Sequence, residues 1–111
     1  MKSLPLDIRS ESKANVARLS LSGELDIASA PRLEEVAREA IAPAISTLVV
    51  DLGGITFIDS SGLRALIALN DLGAEEGVTL ELIAPPERAR SVFHITGADR
   101  NLPFVEEPSG R

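Results

Sequence analysis

The sequence predicts an α/β domain with a mixed sheet of four to five strands and helices packed mainly on one side. Two observations carry that expectation. The chain opens with two stretches of period-two alternation and then changes to helical spacing. Further on, the apolar run Leu48-Val49-Val50 leads through a turn into an amphipathic helix, and another alternating run follows.

The first alternating stretch spans residues 4–9, from Leu4 through Asp7 to Arg9. The polar turn Ser12-Lys13-Ala14-Asn15 separates it from residues 16–22, where Val16, Leu19 and Leu21 hold apolar positions, so the pair reads as a hairpin. Gly23 is expected to end its second strand. A helix then opens at Ala28-Ser29-Ala30-Pro31, with Asp26 or Ser29 as its cap and Pro31 in the first turn. Leu33, Val36, Ala37, Ala40 and Ile41 fall at helical spacing, and Pro43 closes the element. Residues 47–52 form a buried strand bounded by Asp51 and Gly53-Gly54, the two glycines reading as a plain turn. From Gly62 a second helix carries Leu63, Leu66, Ile67 and Asn70 on one face and ends near Leu72-Gly73. Residues 78–83 alternate again as a strand. Pro85-Pro86 precedes a helix over 87–95 that Gly97 stops, Leu102-Pro103-Phe104-Val105 adds a short extended piece, and residues 106–111 are expected to fray.

At 111 residues and 44% hydrophobic composition the chain is one domain, residues 1–111. A net charge of −6, with arginines spread rather than clustered, argues against nucleic acid and anionic lipid as partners. The absence of cysteine removes disulfides, thiolate nucleophiles and Cys-based zinc sites. No apolar stretch has the length of a membrane span, so a soluble cytoplasmic protein is expected, with no membrane association. The three aromatic residues are all Phe, which leaves no stacking platform or aromatic cage.

The stretch that carries chemistry is Asp59-Ser60-Ser61-Gly62-Leu63, where a strand turns into a helix. By position alone, Ser60 or Ser61 is a helix cap. The same position also suits a phosphate, because a helix N-terminus offers free N–H groups and a partial positive charge. Catalysis lacks its parts. The one histidine, His94, is far along the chain, no Gly-x-Ser-x-Gly elbow or phosphate-binding loop is present, and the carboxylates follow no EF-hand pattern. The expectation is therefore a protein that is not an enzyme, with no metal and no cofactor.

The Asp59 to Leu63 motif resembles the switch segment of STAS domains, in particular the bacterial anti-sigma factor antagonists. Gly23-Glu24-Leu25-Asp26 with Pro31-Arg32-Leu33 resembles that family's first loop and helix, and Ile95-Thr96-Gly97 with Leu102-Pro103 its C-terminal segment. The resemblance implies the STAS fold and phosphorylation of Ser61, with Ser60 as the alternative acceptor. It implies a contact surface around Asp26, Asp59, Ser60, Gly62, Leu63 and Arg64. The implied partner is an anti-sigma factor that is also a serine kinase of the histidine-kinase-like ATPase fold. The unmodified antagonist binds it and frees the sigma factor, phosphorylation breaks the complex, and a serine phosphatase restores it. STAS domains also serve as scaffolds and as regulatory parts of transport or lipid-transport complexes, which is the alternative reading. Arg64 departs from the family, where that position is often small; from there its guanidinium can reach a phosphate on Ser61 or an acidic partner, or simply stay solvated.

Overall fold

The computed structural model describes residues 5–110, so the expectations for Leu4 and Arg111 lie outside the described residues. The two N-terminal stretches form β1 (Asp7–Lys13) and β2 (Val16–Leu25), paired antiparallel with Lys13 opposite Val16. The two-residue turn Ala14-Asn15 joins them, and Ala14 takes φ +55°, the left-handed conformation that tight hairpins require. β3 (Thr47–Ile58) pairs parallel with β2, and β4 (Thr79–Ile83) parallel with β3, giving the order β1-β2-β3-β4. A single parallel bridge from Leu82 to Phe104 starts a fifth strand beside β4.

Three helices connect these strands: α1 (Ala30–Ala40), α2 (Ser60–Glu76) and α3 (Ser91–Thr96). Alternation places Leu19 and Leu21 of β2, Leu48, Val50 and Leu52 of β3, and Leu80 and Leu82 of β4 on one face. There they form a single core with Leu33 and Ala37 of α1, Leu66 and Leu69 of α2, and Phe93 of α3. The mixed α/β sheet with helices on one side is thus the architecture that the apolar pattern calls for.

The boundaries differ from expectation where glycines were taken as breaks. Gly23 lies inside β2 with φ +97°, and Gly53-Gly54 lies inside β3, so neither ends its strand. Ser20 faces Asp51 while Ser22 faces Gly54, so β3 carries an extra residue there. A Cβ at Gly54 would sit 2.7 Å from the Leu21 carbonyl oxygen and 2.8 Å from Ser22 Cβ. Glycine is present because a neighbouring backbone comes too close for any side chain. Gly73 has the same role inside α2, where a Cβ would lie 2.6 Å from the Val78 carbonyl oxygen, so the helix runs on to Gly77, whose φ of +71° ends it.

Two further expectations are corrected. α1 stops at Ala40, before Pro43. The late helix over 87–95 is divided into a 3₁₀ turn, Glu87–Ala89, and α3, with Arg90 at the joint donating from Nε to the Pro85 carbonyl at 2.8 Å. In the polar C-terminal segment, Ser109 donates from its N–H and its hydroxyl to the two carboxylate oxygens of Glu81, at 2.7 and 2.8 Å.

The bulge gives a direct test. Gly54→Ala is expected to destabilise the domain by about 1–3 kcal/mol, because two backbones must separate to admit one methyl group. Urea denaturation would register this as a lower midpoint at unchanged slope.

Candidate functional site

β2 and β3 end side by side, with Leu25 opposite Ile58, and each leads into a helix at the same edge of the sheet. Ligand and partner sites of α/β folds gather at such carboxyl ends of parallel strands. α2 starts two residues beyond the last residue of β3. The space for this comes from Gly62, where a Cβ would stand 2.4 Å from the Leu25 carbonyl oxygen and 2.8 Å from Ile58 Cγ1.

The cap of α2 is Asp59, in extended conformation at φ −111°, ψ −172°. Its Oδ1 accepts from the Gly62 N–H at 2.9 Å, and its carbonyl accepts from the Leu63 N–H at 3.0 Å. The capping role that position alone allows Ser60 or Ser61 therefore falls to Asp59. Both serines lie in the first helical turn, where backbone N–H groups have no intrahelical acceptor. Among the described residues neither serine hydroxyl has a hydrogen-bond partner. Ser60 is exposed, and Ser61 is half-buried.

Ser61 lines a shallow depression between α1 and α2 that it shares with Ile27, Glu34, Arg64, Ile67 and Asp71. Arg64 is exposed, and the ion pairs among the described residues, Arg18 with Asp51 and His94 with Asp99, leave its guanidinium uncommitted. Leu63, expected at the contact surface, is 6% exposed and packs into the core, and it also lines a depression with Ile67 and Asn70. Gly62 is likewise buried, while Asp59 is half-buried and holds the turn.

Asp26, expected at the contact surface, shapes the neighbouring loop. Its Oδ1 accepts from the N–H groups of Ala28 and Ser29 at 3.0 and 3.1 Å. Ser29 Oγ accepts from the Asp26 N–H at 3.0 Å and donates to the Glu24 carbonyl at 2.9 Å. This closed network presents Ile27 at the loop tip with 76% of its surface exposed, and Ile67 on α2 is 41% exposed beside the same depression. Sequence reasoning missed Ile27 and grouped Ile67 on one helix face with Leu63 and Leu66, which are buried. The signal in the sequence is an isoleucine directly after Asp26, at a loop position that no core periodicity requires.

His94 is spent elsewhere, with Nδ1 2.9 Å from Asp99 Oδ2 in a separate cleft that it shares with Phe93 and Phe104. Ser61 and His94 line different depressions, so the structure does not assemble a serine nucleophile with a histidine base. Among the described residues no group of three or more His, Cys, Asp or Glu is arranged to hold a metal ion, and no helix is long and apolar enough to cross a membrane.

The cap is testable in isolation. Asp59→Ala is expected to cost about 0.5–2 kcal/mol of folding stability, with Asp59→Asn recovering most of it, as read from chemical denaturation.

A family model described as "Mlab, STAS domain" matches residues 8–106. Anti-sigma-F factor antagonist RsfB of Mycobacterium tuberculosis is 35% identical over 88 residues, covering 78% of this chain and 70% of that protein. The anti-sigma-B factor antagonist of Staphylococcus aureus is 26% identical over 102 residues, covering 92% and 94%. Among solved structures, an anti-sigma factor antagonist from Mycobacterium paratuberculosis superposes with a TM-score of 0.78 at 29% identity, covering 92% of this chain and 86% of that one.

Proposed function

The chain belongs to the STAS-domain family, and from that premise we propose that it is an anti-sigma factor antagonist switched by phosphorylation of Ser61. One observation carries the assignment of the acceptor. Because Asp59 caps α2, the Ser61 hydroxyl has no hydrogen-bond partner among the described residues and stands at the mouth of the helix, in a depression rimmed by the exposed apolar side chains of Ile27 and Ile67. Ser60 is the alternative acceptor, fully on the surface.

The protein is a substrate and a docking surface rather than a catalyst. The partner is an anti-sigma factor with serine kinase activity, which supplies ATP and the catalytic base, and a serine phosphatase reverses the modification. Such a circuit operates in the cytoplasm, where ATP and sigma factors are present. A phosphate on Ser61 adds about −1.5 to −2 charges at a helix N-terminus, which favours negative charge by about 0.3–1 kcal/mol. The fold therefore tolerates the modification. A partner docked over Ile27 and Ile67 does not, because burying an unmatched dianion costs several kcal/mol, roughly a thousandfold in affinity. The alternative, a scaffold or a regulatory part of a transport or lipid-transport complex, would be favoured by gene neighbours encoding transporter subunits in place of a kinase.

Capture of the kinase from host extract, with labelling by ATP, tests the switch. Wild type and Ser61→Ala are expected to bind, Ser61→Asp to bind at least about 100-fold more weakly, and Ser60→Ala alone among the serine variants to keep full labelling. Labelling lost in Ser60→Ala and kept in Ser61→Ala would move the acceptor to Ser60.

Arg64 tunes the same surface. It lies one helical turn beyond Ser61 with no ion pair among the described residues, so it is available to a phosphate on Ser61 or to an acidic group of the partner. Arg64→Gly is expected to shift kinase affinity for the unmodified or phosphorylated protein at least about threefold, and unchanged affinity of both forms would remove the residue from recognition.

A further inference from the structure

Strand alternation turns Val49 away from α1 and α2, onto the helix-free face of the sheet, in register between Arg18 of β2 and Glu81 of β4. That face is largely polar and carries the Arg18 to Asp51 ion pair at 2.7 Å. Val49 nevertheless has 0% of its surface exposed, although it is not part of the helix-side core. The C-terminal segment runs across this same face.

Residues 103–105 run beside β4, with the Leu82 N–H donating to the Pro103 carbonyl at 3.0 Å and the Val105 N–H to the Leu82 carbonyl at 2.9 Å. Phe104 is held further by an edge-on contact with Phe93, ring centroids 5.4 Å apart. Beyond Val105 the chain crosses the face. Ser109 chelates the Glu81 carboxylate on β4 through its N–H and hydroxyl, at 2.7 and 2.8 Å. Gly110 then lies against Val16 on β2, where a Cβ would stand 3.0 Å from Val16 Cγ1, and it takes φ +77°. A path from β4 to β2 passes over β3, which is where Val49 lies.

We propose that the helix-free face is an interaction surface for an extended Ser-Gly segment, and that the chain's own residues 106–110 occupy it as a detachable strap latched on Glu81. The specificity follows from the geometry. Glu81 requires a hydroxyl on the same residue as a free backbone N–H, Val16 leaves room for glycine in the left-handed conformation, and Val49 forms the apolar floor. The strap contributes no helix or strand, and its hold on the sheet is separate from the ladder bonds and ring contact that secure residues 103–105. It can therefore open at residue 106 while the core stays closed. The region matched by the family model also stops at residue 106, so the strap from residue 107 onward lies beyond the matched region. This surface is independent of the switch at Ser61.

The test uses the full chain with changes confined to the strap. Ser109→Pro removes both donors to Glu81, Gly110→Val brings a side chain against Val16, and Ser109→Thr retains the N–H and hydroxyl. A glutamate-specific endoprotease, acting at Glu106 and Glu107, reads detachment, and relaxation of the Val49 methyl signals by a soluble paramagnetic probe reads uncovering. Ser109→Pro and Gly110→Val are expected to lose the C-terminal fragment at least tenfold faster than wild type and to expose Val49, with Ser109→Thr at the wild-type rate. Wild-type trimming in both disruptive variants, or a Val49 that stays protected in both, would overturn the proposal.

Discussion

The site depends on a missing side chain. At Gly62 the first turn of α2 comes so close to the end of β2 that a Cβ would meet the Leu25 carbonyl oxygen at 2.4 Å. That approach lets the helix begin with only Asp59 between it and β3, and it brings the Gly62 N–H onto the Asp59 carboxylate. Both constraints fix the rotation of α2 about its axis. A one-residue slip in the start would turn the helix by about 100°. With the observed start, Leu63, Leu66 and Leu69 point into the core while Arg64 and Ile67 face outward and Ser61 sits half-buried beside them. The exposure of the hydroxyl and the burial of the leucines are thus two results of one packing decision.

The same reasoning separates what the sequence discloses from what it withholds. Periodicity is a local property, so the hairpin, the Leu48-Val49-Val50 strand and the helical spacing after Gly62 are legible from residues near one another. The role of a glycine is often not local. Gly54 answers to Leu21 and Ser22 on another strand, and Gly73 to the entry of β4, so reading either as a break mistakes close approach for punctuation. The cap is ambiguous for a related reason. Asp59, Ser60 and Ser61 are all good N-cap residues in succession, and only the approach of Gly62 to Leu25 selects the aspartate. The motif itself was readable because its residue types are required at that turn. The apolar rim was harder to see, since Ile27 looks like an ordinary aliphatic residue until Asp26 and Ser29 are seen closing the loop beneath it.

The division of labour among the three polar residues bears on the proposed phosphorylation of Ser61. Had Ser61 been the cap, a phosphate there would have competed with the bond that starts the helix, and modification would have acted partly by fraying α2. With the cap on Asp59, a phosphate on Ser61 would meet N–H groups that lack intrahelical acceptors, while the nearest structural bond belongs to another side chain. Glu34 and Asp71 in the same depression oppose an added negative charge, and Arg64 offsets them. These terms are small and solvent-screened on the free protein. They grow once a partner excludes water from the depression, since the same charges then interact at lower effective dielectric. A modification that leaves the fold almost unperturbed can therefore be decisive in the complex. Rigidity at the helix start would confine the effect of the proposed modification to the surface.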